Sequence, residues 1–247
     1  SLFEKLNANF KIKNFSLRPI NDRIDTIRKL RNWTCFSEEF LKILTDENKI
    51  IGMGHSIGGN IILRSAIEKP QYFSKIILLD PTLFTPPIIY LWKVSAFLKV
   101  QEILYPWLKA SLNRKMVYNN FEEIFNSYRN KDVFKLINDE NLNIYIKSIT
   151  ELMDNKKLKI NFSNLWEHQI YKTGLFDDMY IWKNLKKMNV PTLILKAEES
   201  TAFSNSTVNK IKKMNSKNIK IKTIKNSSHL FPLEFPQLTS EEIIKFI

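Results

Sequence analysis

Lys49-Ile50-Ile51-Gly52-Met53-Gly54-His55-Ser56-Ile57-Gly58-Gly59 is the stretch whose reading decides the fold. Its first half is a short apolar run of the kind that fills a buried parallel strand. Residues 57–68 carry a helical pattern. Between the two lies Gly54-x-Ser56-x-Gly58, so a serine stands at a sharp strand-to-helix turn with its hydroxyl exposed. The glycines at 54 and 58 allow the sharp turn and the approach of neighbouring backbones, and Gly59 adds room at the helix start. The backbone N–H of Ile57, at the helix start, is placed to stabilise an oxyanion.

A second apolar strand is expected at Lys75–Leu79, ending on Asp80-Pro81. The order strand, helix, strand argues for a mostly parallel α/β sheet with right-handed crossovers. Upstream, residues 1–8 read as the end of a helix and residues 9–16 as a strand, from the alternation of Phe10 and Ile12. Residues 17–34 read as irregular around Pro19. Ser37, before Glu38 and Glu39, reads as the cap of a helix reaching residue 46.

Residues 83–188 break the rhythm. Helices are expected there near 133–137, 142–153 and 176–187, with Asn119 and Glu122 as a capping box. The segment is too long for a loop and reads as a helical lid inserted between two strands of one sheet. The sheet resumes at Val190–Leu195 and at residues 218–224, giving about five strands. Thr239 and Glu242 suggest a capping box for a last helix that buries Ile243, Ile244 and Ile247. The expected division is therefore a core of residues 1–82 and 189–247 and a cap of residues 83–188.

His229 follows the last expected strand and is the candidate base for Ser56. His55 is expected to leave the turn in another direction and support it, and His168 to lie on the surface of the insertion. Three carboxylates compete to orient His229. Glu199 and Glu198 follow the strand that ends near Lys196, and Asp80 follows the preceding one. Glu234 is expected to cap or pair locally.

These pieces together resemble the α/β-hydrolase superfamily, in its branch with a helical cap. The motifs that carry the resemblance are residues 52–59, Ile76-Ile77-Leu78-Leu79-Asp80-Pro81, Pro191-Thr192-Leu193-Ile194-Leu195 and His229-Leu230-Phe231-Pro232-Leu233-Glu234. The resemblance implies Ser56 as nucleophile, His229 as base, and a lid that shapes an acyl or alcohol pocket. Two departures stand out. Where the superfamily places its acid after a Gly-x-x-Asp run, this chain has Ala197 for the glycine and Ser200 for the aspartate, with Thr201 next. The early strands, and the His-Gly loop that gives a second oxyanion donor, are also expected to be lacking.

The implied activity is hydrolysis of a carboxylic ester or related acyl substrate, with no cofactor and no metal. Carbon–carbon bond hydrolysis and a non-catalytic ligand-binding or interaction domain are the alternatives. The formal charge of +13 comes from 38 basic and 25 acidic residues, but the lysines are dispersed and no nucleic-acid face is expected. The single cysteine, Cys35, excludes an intrachain disulfide. No signal peptide or transmembrane segment is read from the sequence, and a cytoplasmic protein is the expectation, with a homo-oligomer as an open option.

Overall fold

The computed structural model describes residues 1–17, 27, 29–44 and 49–247. Pro19 and residues 45 and 46 lie outside them; the second helix ends at Lys42, and Ile43 and Leu44 do not continue it.

The chain opens with α1 (Leu2–Asn7), α2 (Thr34–Lys42), β1 (Ile50–His55), α3 (Ile57–Glu68) and β2 (Phe73–Leu79). The segment that follows holds α4 (Pro86–Phe97), α5 (Gln101–Leu104), α6 (Pro106–Leu112), β3 (Val117–Tyr118), α7 (Phe121–Arg129), α8 (Asp139–Ile149), β4 (Thr150–Leu152), β5 (Leu158–Ile160), α9 (Asn164–Thr173) and α10 (Met179–Asn184). The chain closes with β6 (Thr192–Ala197), α11 (Asn205–Asn215), β7 (Ile219–Ile224), α12 (Phe231–Glu234) and α13 (Pro236–Phe246).

The main sheet has the order β1-β2-β6-β7, and all its pairs are parallel. Its centre is apolar on both faces. Ile76, Ile77, Leu78 and Leu79 in β2 are at most 3% exposed, and every residue of β6 is buried. Each such side chain contributes about 1.5–3 kcal/mol of burial. One face packs on α2, α3 and α11 through Phe36, Phe40, Leu63 and Ile211. The other packs on α1, α12 and α13 through Leu6, Phe231 and Ile243. β1 is the edge of this sheet among the described residues, and its Ile51 and Met53 are exposed.

Several local expectations change. Residues 11–17 form no strand; Ile12 packs onto the α1/α13 face, and Phe15 stands edge-on to Phe40 at 5.3 Å. Their apolar side chains cover the core without joining the ladder, which leaves four strands in the main sheet among the described residues. The second helix starts at Thr34, and Ser37 lies buried inside it, its Oγ bonded to Thr34 O. Pro236, pre-set for a first turn, starts α13. Thr239 is inside that helix, Glu242 pairs with Lys222, and Ile244 is exposed.

The segment between β2 and β6 is mainly helical, as expected, but also holds a small antiparallel sheet of order β3-β5-β4. Thr150–Leu152 therefore leaves α8 for a strand. Asn120 and Glu123, one residue beyond the expected pair, cap α7. Glu123 N donates to Asn120 Oδ1, and Asn119 N to Glu123 Oε2.

Candidate active site

Ser56 is the single residue between β1 and α3. It has φ 55° and ψ −120°, a left-handed conformation that costs a non-glycine residue energy and marks a constrained site. Three backbone bonds hold it there. Ser56 N donates to Leu79 O, while Thr82 N and Asn60 N donate to Ser56 O. A β-carbon on Gly54 would fall 2.3 Å from the backbone of Gly58, and one on Gly59 would fall 2.8 Å from Pro81 Cβ. One on Gly58 would meet nothing within 4 Å. The close approach expected of Gly58 is thus carried by Gly54 and Gly59. The N–H of Ile57, in the first turn of α3, has no acceptor within its own helix and lies at the positive end of the helix dipole.

His229 lies between β7 and α12. Its Nε2 is 2.9 Å from Ser56 Oγ, and its Nδ1 is 2.6 Å from Asp80 Oδ2. Asp80 directly follows β2, with φ 41°, and is fully buried. Its other bonds come from β6 and the loop beyond: Ala197 N donates to Oδ1 at 2.9 Å, and Ser200 Oγ donates to Oδ2 at 2.6 Å. Its two oxygens thus meet donors from a backbone N–H, a hydroxyl and an imidazole, so the buried carboxyl group is not left without hydrogen-bond partners.

The two glutamates sit elsewhere. Glu198 accepts from Lys225 Nζ and Asn226 N, and the Lys225 bond holds its carboxyl below the usual range. Glu199 is exposed, and its backbone N donates to Ser227 O. The carboxylate at His229 Nδ1 is Asp80.

The loop that presents His229 is tied from both sides. Glu234 accepts from Ser228 N at 3.0 Å and from Ser228 Oγ. His55 Nε2 donates to His229 O at 2.8 Å, with the ring centroids 4.8 Å apart. Burial, and next the neighbouring His229, push the His55 pKa down to about 4. His55 is therefore neutral at pH 7, so it adds no positive charge beside His229. His168 is buried rather than superficial; its Nδ1 meets Leu108 O at 2.9 Å, which ties α9 to α6.

Sequence reasoning missed the polar groups behind the serine. Thr82 Oγ1 lies 3.2 Å from Ser56 Oγ. Asn60 Nδ2 donates to Thr82 O at 2.8 Å and to both oxygens of Asp178 at 3.1–3.2 Å. Burial pushes the Asp178 pKa up to about 7, against the opposing pull of Asn60 and Arg64. The available signal was Asn60 itself, a polar residue one helical turn after Ser56 that shares its i, i+4, i+8 row with Arg64 and Glu68.

The sequence pattern of the family described as serine aminopeptidase, S33 (Hydrolase_4), matches residues 30–235. The chain belongs to this α/β-hydrolase family. An uncharacterized hydrolase of Bacillus subtilis (strain 168), YugF, is 27% identical over 199 residues, which cover 79% of this chain and 64% of that protein. The chain thus spans slightly less than two thirds of that relative's length. Among solved structures, E-2-(acetamidomethylene)succinate hydrolase superposes with a TM-score of 0.68 at 15% identity, over 87% of this chain and 74% of that one. An esterase of Mycobacterium tuberculosis superposes with a TM-score of 0.63 at 14% identity, over 90% of this chain and 70% of that one. At these identities the structural likeness shows the fold, which is that of the α/β-hydrolases.

Proposed function

We propose that this chain is a serine hydrolase that cleaves a carboxylic ester or related acyl substrate through an acyl-enzyme on Ser56. The observation that carries this reading is the continuous hydrogen-bonded series Ser56 Oγ, His229 Nε2, His229 Nδ1, Asp80 Oδ2, with steps of 2.9 and 2.6 Å. The M. tuberculosis esterase and the other hydrolases on the same fold agree with it.

Ser56 Oγ attacks the substrate carbonyl carbon while His229 Nε2 takes the hydroxyl proton. Asp80 holds the Nδ1–H and favours the imidazolium that forms. The N–H of Ile57 donates to the developing oxyanion. Collapse breaks the bond to the leaving alcohol, which takes the proton from Nε2. Water, deprotonated by His229, then attacks the acyl-serine ester, and the acid departs as Ser56 regains its proton.

Residues 83–188 act as the lid over this site. Two contacts support that reading. Asn141 Nδ2 of α8 donates to Leu233 O in α12, four residues after His229. Asp178 reaches Asn60 in α3 behind Ser56.

The test is a stopped-flow assay with p-nitrophenyl acyl esters of increasing chain length, joined to intact-mass spectrometry of the quenched enzyme. The reading requires a burst of nitrophenol and an acyl adduct on Ser56. Turnover that survives in Ser56→Ala would overturn it.

A further inference from the structure

Helix α4 is apolar on two opposite faces. Ile89, Trp92 and Ser95 are buried against the molecule. Tyr90, Leu91, Val94, Phe97 and Leu98 recur at i, i+1, i+4, i+7 and i+8, so they form one stripe along the helix. That stripe faces solvent, with exposures from 53% at Val94 to 85% at Phe97. A helix at the surface of a water-soluble domain ordinarily shows solvent a polar face.

The next two helices extend the apolar surface. α5 and α6 follow α4 directly, and Ile103, Leu104 and Trp107 on them are also exposed. Trp107 stacks on Trp92 of α4 at 6.2 Å and meets Tyr171 of α9 edge-on at 5.2 Å, which joins the helices into one surface. Exposed apolar surface this continuous marks an interaction site.

The charges around it select the partner. Residues 86–112 carry Lys93, Lys99 and Lys109 against a single acid, Glu102. Lys99 and Lys109 are exposed, and Lys93 flanks the apolar stripe. Glu102 is already engaged, 3.4 Å from both Lys172 Nζ and His168 Nε2. The whole chain carries +13. A basic fringe and a basic molecule repel a second copy of themselves and attract a surface of opposite sign. Tyr90 and Trp107 belong to the residue types that settle at the lipid headgroup level, and Phe97 to those that an interfacial helix buries at the acyl boundary. No helix among the described residues is long and apolar enough to cross a membrane, so the contact is one of lying on the surface.

We propose that the α4–α6 face docks onto the surface of an anionic lipid bilayer, with the α4 stripe entering the headgroup region and the three lysines pairing with lipid phosphates. Docking is a property of this face and does not require turnover at Ser56.

The experiment is flotation of the whole chain with extruded vesicles of phosphatidylcholine alone and of phosphatidylcholine mixed with phosphatidylglycerol, at low and high salt. The proposal requires flotation with the anionic vesicles, at least about ten-fold weaker with the neutral ones, and weakened by salt. Leu91→Glu with Phe97→Glu abolishes flotation. Replacing Lys93, Lys99 and Lys109 by Gln removes the preference for anionic lipid. Circular dichroism and sedimentation velocity accompany each variant. A wild-type chain that does not float, or that floats equally with both vesicles, overturns the proposal whatever the variants do. So does a concentration-dependent dimer that Phe97→Glu dissolves while vesicle binding is absent, because the face would then be covered by a second copy.

Discussion

Ser200 Oγ lies 2.6 Å from Asp80 Oδ2, the same oxygen that faces His229 Nδ1. Ser200 lies three residues after β6, in the loop where the sequence resemblance implies a carboxylate. Here a carboxylate from the end of β2, the neighbouring strand, fills the space, and the β6 loop supplies a hydroxyl donor to it. The parallel pairing of Leu79 with Leu195 brings the two strand ends side by side and makes the exchange possible.

Asp80→Asn is expected to lower kcat for an activated ester by about 10³–10⁴-fold with little change in KM, since it removes the charge that favours the imidazolium. Glu199→Gln is expected to leave kcat within about two-fold, because an exposed loop charge contributes little. Steady-state kinetics of the two variants make the comparison. Similar losses in both would contradict the geometry.

The elbow glycines differ in what they tolerate. Gly54→Ala drives a β-carbon into the backbone of Gly58 and is expected to cost more than about 3 kcal/mol and to abolish activity. Gly58→Ala meets open space in the first turn of α3 and is expected to lie within about 1 kcal/mol of the parent, on either side. Thermal denaturation of both variants measures the difference.

Asp178 sets one side of the pH dependence of stability. Its folded pKa, about 7, lies above the ordinary 3.8, so the native state holds its proton more tightly than the unfolded chain. Stability from this group is full below about 4 and is lost as pH rises towards about 7. Asp178→Asn keeps an acceptor for Asn60 and removes the titration. It is expected to be more stable than the parent above pH ~7, by on the order of a few kcal/mol, and to converge with it near pH ~4. Urea unfolding across that range reads the effect.

His55 acts in the opposite sense. Its folded pKa of about 4 is below the ordinary 6.5, so the unfolded chain binds the proton more tightly. Stability from this group is full above about 6.5 and is lost as pH falls towards about 4. His55→Gln retains a donor for His229 O without titrating. It is expected to flatten the acid limb of the stability curve and keep activity within about ten-fold, whereas His55→Leu loses the bond and more of the activity.

Residues 49–68 were legible because one short stretch carries strand, turn and helix together, and Ser56 takes its strained conformation from that local order. The histidine loop was legible for the same reason, coming after an alternating strand. The carboxylate at His229 was not. The choice between Asp80 and Glu199 depends on which strands are neighbours and where each loop turns, and neither is written in the residues nearby. Phe10 and Ile12 alternate as a strand would, yet tertiary packing uses such apolar residues as a coil laid over the core. The strands at Val117, Thr150 and Leu158 are two or three residues long and too short to show a period. Thr82, Asn60 and Asp178 meet only because the segment between β2 and β6 folds back onto α3.

The most direct measurement is covalent labelling with a fluorophosphonate, mapped by peptide mass spectrometry, for the wild-type chain, Ser56→Ala and Asp80→Asn. The account predicts one adduct, on Ser56, absent from Ser56→Ala and formed far more slowly in Asp80→Asn. A wild-type chain that stays unlabelled, an adduct that persists in Ser56→Ala, or an Asp80→Asn chain that labels at the wild-type rate would contradict it.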